Sequence, residues 1–495
     1  TRSTWTNKPH AMKPIPEALQ STIGQRVDLI DTPALVVDLD AMDRNIQRMA
    51  DFARKHQVRW RPHAKLHKSA EIALLQQRAG AQGVCVQKVA EAEALAAGGV
   101  QDITITNQVI AMPKLHRVAR LAAQLAARGG RLGVAVDHID GIERLAEAMA
   151  QSGSDAGIDV LVEIDVGQGR CGVPPGEAAV PLALAVSRSP RLRFAGLQAY
   201  HGRAQHLASS VGRRETIAAV VRAADHTRQL IEAAGLPVPL VTGSGTGTLV
   251  HEAASGVFGE LQAGSFLFMD ADYARNEREP AQPAFEHALY VKTQVVSVRD
   301  THAVCDAGHK SHAIDSGLPT VALLPADRTL RYANGGDEHG LLYADAPDAR
   351  LPSLGHMLWL IPGHCDPTVN LHDFLIGVRG GLATGTGTVG TLAGAAAGDV
   401  VNSSGSQAFL TSGAGNNKTV RASGVTIKDA ANADMTDNYN ITYTDNTTGV
   451  IQKAELTVTA NDDARFVGLT DTPGFTGVSP TGLVNGENMS VLGGT

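Results

Sequence analysis

Between residues 31 and 270 the chain alternates short apolar stretches with amphipathic ones, and this alternation limits the fold more than any other feature. The apolar stretches have the length of buried strands, and those between them, such as 115–128, carry apolar residues at helical spacing. The predicted strands are 34–39, 58–62, 83–87, 102–107, 132–137, 160–165, 194–200 and 240–243. Eight strand-then-helix units are typical of a (β/α)8 TIM barrel, with an open, doubly wound α/β sheet as the alternative.

Polar residues gather where the predicted strands end. Lys65, Asp165, His201 and Ser244 each follow directly or closely on an apolar stretch. In a barrel these strand ends form the C-terminal rim, where active sites lie. The pattern therefore predicts an enzyme whose site is on that rim.

The rest of the chain divides by composition. Residues 281–380 predict a β-rich domain, and residues 1–30 are a lead-in that contributes to it, so the barrel domain is 31–280. The predicted strands of the β-rich domain are 288–298, 303–306, 320–324, 357–361 and 374–378. Residues 381–495 are rich in Gly, Thr and Asn and carry no cluster of catalytic side chains, which predicts a separate β-rich or partly disordered module.

Charge and apolar content exclude several classes of partner. The 495 residues carry a net charge of -7, which gives no basis for binding nucleic acid. There is no run of about 20 apolar residues that would span a membrane. The start lacks an apolar signal core, and the four cysteines are far apart in sequence, so we expect a cytoplasmic protein with reduced thiols.

Lys65 is the first candidate catalytic residue. It lies between His63 and His67 and near Arg61 and Lys68. A solvated loop lysine is one interpretation. The other is a Schiff-base lysine, whose amine becomes nucleophilic because burial and neighbouring cations lower its pKa. We adopt the second as the hypothesis to test.

A glycine-rich loop at 241–248 follows the last predicted barrel strand and leads into a helix. Glycines let the backbone approach a ligand, and hydroxyls with helix-start amides bind phosphate, which barrels often hold in this place. The alternative is a flexible turn. The segment 262–265 is expected to supply a second edge of the same cup.

Two further rim loops carry candidate side chains. Arg170 follows a strand with two acids, so it either contacts a cofactor ring or substrate carboxylate, or pairs with Asp165. Tyr200, His201 and His206 form a group able to stack on a ring and move protons, although a histidine is more often structural.

His364 and Asp366 form a candidate metal pair. If the segment is extended, both side chains point to one face and Cys365 to the other. The carboxylate oxygen favours Mn²⁺ or Mg²⁺, and two protein ligands leave positions open for water and substrate. The alternative is a turn that Asp366 stabilises before Pro367.

Taken together, these motifs resemble the metal-activated D-threonine aldolases, which are fold-type III pyridoxal-phosphate enzymes related to alanine racemase. The resemblance rests on 61–65, 165–170, 196–202, the Gly-Ser-Gly-Thr loop and 364–370, and covers about residues 25 to 380. It implies an alanine-racemase-like barrel and β domain, with Lys65 bound to the cofactor. It implies these further roles: Arg170 and Tyr200 near the cofactor, Ser244, Gly245, Thr246, Gly264 and Ser265 at its phosphate, and His364 and Asp366 at the metal.

The implied reaction is cleavage of a D-β-hydroxy-α-amino acid to glycine and an aldehyde. His206 is the preferred general base and His201 the alternative. The related D-serine and D-3-hydroxyaspartate dehydratases pair the histidine with a cysteine two residues on, for zinc. Asp366 occupies that position here, which favours the aldolase over a dehydratase.

Residues 381–495 do not resemble this family. They are similar to the repeated β modules of filamentous-haemagglutinin-type adhesins, so a surface adhesin with an inert barrel is the alternative from a different class. For the enzyme we expect a small-molecule amino acid substrate, no nucleic-acid or membrane partner, and a monomer or homodimer.

Overall fold

The structure is a computed structural model. It describes residue 19, residues 21–324, 329–345 and 350–383, and the backbone of five strands after residue 399. By contacts the chain divides into two compact units, Thr1–Thr386 and Gly387–Thr495. Every candidate site residue lies in the first unit.

Eight parallel strands of the described residues form a closed barrel. In chain order they are Arg59–Trp60, Val84–Val86, Asp102–Ile105, Arg131–Val136, Ile158–Glu163, Leu192–Ala199, Val241–Gly243 and Glu260–Leu261. The first and last strands pair with each other, and a parallel bridge between His63 and Cys85 completes the ring. The predicted TIM barrel is confirmed.

Helices surround the barrel because each has one apolar face. They are Leu39–His56, Ala70–Arg78, Val89–Ala97, Met112–Ala126, Ile139–Gln151, Val180–Arg188, Ser210–Ala233 and Leu249–Ala253. In Met112–Ala126, for example, Leu115, Val118, Leu121 and Leu125 are buried at the spacing of a single helix face. These side chains pack against the barrel strands in one continuous core.

Two strand predictions were wrong. The strand Ala34–Asp38, expected to be the first of the barrel, lies in the β domain, between Leu289–Val298 and Ile376–Arg379. The barrel's eighth strand is instead Glu260–Leu261, so the glycine-rich loop follows the seventh strand. A short apolar strand before a helix has the same pattern in either sheet, and a two-residue strand is too short to show periodicity.

Nine strands of the described residues form the sheet of the β domain. They are Ala34–Asp38, Leu289–Val298, Ala303–Cys305, Thr320–Ala322, Leu330–Asn334, Gly340–Ala344, Met357–Ile361, Ile376–Arg379 and Leu382–Ala383. Residues 24–27 exchange backbone hydrogen bonds with residues 381–383. A second core, which includes Leu35, Met49, Phe266 and Leu360, packs this sheet against the barrel. The predicted β-rich domain after the barrel is therefore confirmed.

The second unit is described only by strand backbone. Val400–Phe409, Gly415–Lys428 and Asn446–Ile451 form an antiparallel sheet, and Thr457–Ala460 pairs with Val478–Thr481. Most of the predicted module at 381–495 lies outside the described residues. Among the described helices, none combines the length and apolar character needed to cross a bilayer.

Candidate active site

One cavity of about 280 Å³ opens on the C-terminal rim of the barrel, close to the lower limit for small-molecule sites. It brings together all but one of the residues predicted to act in catalysis or to bind the cofactor or the metal. The predicted residues that line it are Lys65, Arg170, Tyr200, His206, Ser244, Gly245, Thr246, Gly264, Ser265, His364 and Asp366. The exception is His201, whose ring lies against the loop at Gly167, where an added Cβ would be 2.7 Å from its Nε2.

Lys65 lies on a short 3-10 helix, Ala64–Leu66, which His63 caps directly after the first barrel strand. Its Nζ is 2.9 Å from Asp366 Oδ2. Burial alone would lower the pKa of Lys65, but the charge of Asp366 outweighs it and raises the pKa. The sequence-based expectation of a lowered pKa was therefore wrong, because it included the nearby cations but not a carboxylate 301 residues away.

The histidines on either side of Lys65 are buried and neutral. Burial lowers the pKa of His63 to about 3 and that of His67 to about 4. His63 Nε2 is 3.2 Å from Thr106 Oγ1 and 3.1 Å from Gln87 Nε2, within the barrel. These histidines therefore add little positive charge to the site.

The glycine-rich loop and the segment after the eighth strand form two edges of one cup. Ser244 has a left-handed backbone, with φ of 77°. At Gly264 an added Cβ would lie 2.9 Å from the carbonyl oxygen of His63, so only glycine fits there. Thr246 Oγ1 accepts a 2.8 Å hydrogen bond from the Phe266 amide, which joins the two edges.

The cup and the lysine fit pyridoxal phosphate. Hydroxyls and glycine-loop backbone on one side suit a dianionic phosphate, and the Lys65 amine lies in the same cavity. Arg170 lies 5.9 Å from the centroid of the Tyr200 ring, and burial raises the pKa of that phenol, so it stays protonated. Asp165 accepts hydrogen bonds from the amides of Gly167 and Gly169 in its own loop, so it stabilises the turn and does not form the ion pair with Arg170 that was the alternative interpretation.

His364 and Asp366 do not lie in an extended segment, as the sequence suggested. His364 precedes the helix Cys365–Val369, and Asp366 is in the first turn of that helix. The local pattern was misread because a five-residue helix has no periodicity to detect. Both side chains nevertheless face the cavity, with His364 Nε2 3.8 Å from Asp366 Oδ2.

This pair fits a divalent cation with open positions. Asp366 Oδ1 is buried and has no hydrogen-bond partner among the described residues. His364 Nδ1 donates to Asp270 Oδ2 at 2.8 Å, which leaves Nε2 free, as in many metal-binding histidines. Burial would lower the pKa of His364, but Asp270 and Asp366 raise it. Within the described residues no three His, Cys, Asp or Glu side chains form a metal cluster, so this part of the chain supplies at most the pair.

The segment Asp270–Tyr273 was missed by the sequence analysis. Asp270 is fully buried and holds His364 and the Cys365 amide, while Asp272 Oδ2 lies 2.5 Å from His206 Nδ1. The sequence did carry one signal for this segment: Asp270 and Asp272 stand at alternate positions directly after an apolar run. A rim that presents a lysine, an anion cup and a histidine–carboxylate pair to one cavity defines a cofactor-dependent barrel enzyme.

Comparison with known proteins identifies the family. Residues 37–272 match the alanine racemase N-terminal domain and residues 288–378 match the putative serine dehydratase domain. The chain is 43% identical over 360 residues to D-threonine aldolase from Arthrobacter sp, covering 72% of this chain and 92% of the relative. It is 42% identical over 358 residues to 3-hydroxy-D-aspartate aldolase from Paracoccus denitrificans (strain Pd 1222), covering 71% and 89%.

A solved structure agrees with these matches. The crystal structure of D-threonine aldolase from Filomicrobium marinum aligns with a TM-score of 0.69 at 46% sequence identity, over 72% of this chain and 94% of that one. The chain therefore belongs to the alanine racemase-like, fold-type III family of pyridoxal-phosphate enzymes, and it is a lyase.

Proposed function

We propose that the protein is a pyridoxal-phosphate- and divalent-metal-dependent aldolase. It cleaves D-threonine and other D-β-hydroxy-α-amino acids to glycine and an aldehyde. The observation that carries the proposal is the meeting of Lys65 with the pair His364 and Asp366 in one cavity. The two relatives named as aldolases, which cover about the same part of this chain, support the same reaction class.

The cofactor would be held by residues of the barrel. Lys65 would form the covalent link, Ser244, Gly245, Thr246, Gly264 and Ser265 would bind the phosphate, and Arg170 and Tyr200 would contact the ring side. When bound, pyridoxal phosphate supplies an electron-withdrawing ring that accepts the electron pair of the broken Cα–Cβ bond.

The metal would be held by His364 and Asp366. A bound divalent cation supplies a Lewis acid that lowers the pKa of the substrate's β-hydroxyl. A donor set of one imidazole and one carboxylate is compatible with Mn²⁺, which we propose as the metal, with Mg²⁺ as the alternative.

His206 is the proposed general base. It lines the cavity, and its Nδ1 donates to Asp272, so Nε2 is the nitrogen free to accept the hydroxyl proton. His201, the alternative, does not line the cavity, and its Nδ1 accepts from the Ala204 amide at 3.2 Å. The geometry therefore favours His206.

The segment 381–495 is outside this proposal. Its resemblance to adhesin modules stays a prediction, as do the cytoplasmic location and the monomeric or homodimeric state. The catalytic unit proposed here consists of residues up to about 380, where all candidate site residues lie.

Product analysis tests the proposed reaction. The purified chain, incubated with pyridoxal phosphate, Mn²⁺ and D-threonine, should release acetaldehyde and glycine in equal amounts, with L-threonine and a Lys65→Ala variant as controls. Keto acid and ammonia would reassign the chain to a dehydratase. Failure of the wild-type chain to take up the cofactor would contradict the assignment of Lys65 and the phosphate cup.

A further inference from the structure

The carboxylate of Asp272 contacts His206, the proposed general base. His206 ends the short 3-10 helix Arg203–His206, and its Nδ1 is 2.5 Å from Asp272 Oδ2. An ionised carboxylate only accepts hydrogen bonds, so Nδ1 must carry the proton. The neutral ring then has its lone pair on Nε2, the nitrogen a general base needs on its free side.

Asp272 is fixed by contacts that do not involve His206. Its amide donates to the Gly363 carbonyl at 3.1 Å, and its Oδ1 accepts from Arg275 Nη2 at 2.7 Å. Burial would raise the pKa of Asp272, but the bonds from Arg275 and His206 keep it below its ordinary value, so the group stays ionised. The carboxylate is thus a rigid, charged acceptor.

The same short helix, Ala271–Ala274, joins the base to the metal pair. Asp270, which caps it, accepts from His364 Nδ1, and Asp272 accepts from His206 Nδ1. Tyr273 lies between the two imidazoles, with ring centroids 5.9 Å from His206 and 6.2 Å from His364. Two carboxylates two residues apart therefore leave the Nε2 atom of each histidine free.

We propose that Asp272 is a positioning residue for the reaction: it holds His206 in the Nδ1–H tautomer and aims Nε2 into the cavity. The catalytic part of this inference rests on the proposed function, in which His206 takes the β-hydroxyl proton. The structural part, that Asp272 sets the tautomer of His206, stands without it.

The loop that carries His206 has other supports, so a substitution of Asp272 should not unfold it. Arg213 is fully buried and donates to the carbonyls of Leu207, Ala208 and Glu277. The Glu277 amide also donates to the Ala208 carbonyl at 2.9 Å. An Asp272→Asn variant keeps the side-chain size and the backbone bond to Gly363.

The test compares Asp272→Asn with wild type in two readouts. Because the amide can donate to Nδ1 and favour the wrong tautomer, kcat should fall by about 10²-fold or more, within the range that a positioned base contributes. KM and the cofactor absorbance should change by less than about twofold, because Asp272 touches neither ligand in the proposal. Asp225→Asn, the same substitution at a carboxylate that pairs with Arg228 on the helix Ser210–Ala233 and does not line the cavity, is the matched control and should keep kcat near wild type.

The second readout is ¹⁵N NMR of histidine-labelled protein. The signals of His206, identified by their absence in His206→Gln, should show the Nδ1–H tautomer in wild type and lose it in Asp272→Asn. A wild-type His206 in the Nε2–H tautomer, or an Asp272→Asn variant with unchanged kcat, would overturn the inference. If the wild-type chain releases no aldehyde, the proposed function fails, and the NMR result alone decides the role of Asp272.

Discussion

The carboxylate of Asp366 connects the two parts of the candidate site. Its Oδ2 is 2.9 Å from Lys65 Nζ and 3.8 Å from His364 Nε2, and its Oδ1 has no partner in the part of the chain that the structure describes. Burial would raise the pKa of Asp366, but the positive charge of Lys65 and the contact with His364 lower it. The group is therefore ionised, and it lies between Lys65, the proposed cofactor lysine, and His364, the other proposed metal ligand.

At the residue scale, substitution of the two rim histidines, His201 and His206, should lower turnover to very different extents. His206→Ala should reduce turnover by about 10²-fold to 10⁴-fold, because it removes the proposed general base at the cavity wall. His201→Ala should have a much smaller effect, since its ring packs against the Gly167 loop outside the cavity. Initial rates at saturating D-threonine, with cofactor absorbance as the measure of intact binding, check this. Equal losses in both variants would contradict the assignment.

At the scale of elements, the phosphate cup has a buried support behind its glycine loop. Gln205 donates to Thr248 Oγ1 at 2.8 Å and accepts from the Gly247 amide at 3.0 Å. Thr248 Oγ1 in turn donates to Glu252 Oε1 at 2.7 Å. At Gly245 an added Cβ would lie 2.5 Å from Gln205, so the loop and its support fit only with glycine there. This series of hydrogen bonds holds the glycine loop in the geometry of the cup.

Glu252 makes this element sensitive to pH. Burial raises its pKa from 4.5 to about 7. Between pH 4.5 and about pH 7, Glu252 keeps its proton in the folded protein but releases it in the unfolded chain. Glu252 therefore lowers the free energy of unfolding as pH rises toward 7. Glu252→Gln does not titrate and keeps an acceptor for Thr248. From pH 5 to pH 8 its free energy of unfolding should therefore rise by about 2 kcal/mol relative to wild type.

Urea unfolding of the cofactor-free proteins at the two pH values measures this difference. The comparison with wild type cancels the other titrating groups, because both proteins share them. A stability difference between variant and wild type that is the same at pH 5 and pH 8 would show that Glu252 is already ionised in the folded protein.

The sequence predicted the barrel, its rim and most of the cavity lining, because strand length and rim polarity are local signals. Lys65 and the glycine loop could be recognised as candidate site residues from their place after a strand alone. Asp270 and Asp272 act on histidines that are distant in sequence, so no local pattern showed their role. The strand Ala34–Asp38 was placed in the wrong sheet because pairing partners are set by tertiary packing.

At the scale of the whole molecule, every described residue that lines the candidate site belongs to the first unit of the chain. The β-domain sheet ends with Leu382–Ala383, which pairs with Ile376–Arg379, and the residues after it belong largely to the second unit. The catalytic unit should therefore be complete by residue 386.

A chain shortened after Thr386 should keep its activity. We expect kcat and cofactor absorbance within about twofold of the full chain, because a domain with its own core can fold alone. Expression of both forms and comparison of initial rates check this. Loss of cofactor binding in the shortened form, while it remains folded by circular dichroism, would show that residues 387–495 contribute to the site.

The most direct test of the central claim is the metal dependence of aldehyde release from D-threonine. A chelator should abolish acetaldehyde release while the cofactor absorbance stays, and Mn²⁺ should restore the rate in wild type but not in Asp366→Asn. Acetaldehyde release that a chelator does not change would contradict the assignment of His364 and Asp366 as the metal pair.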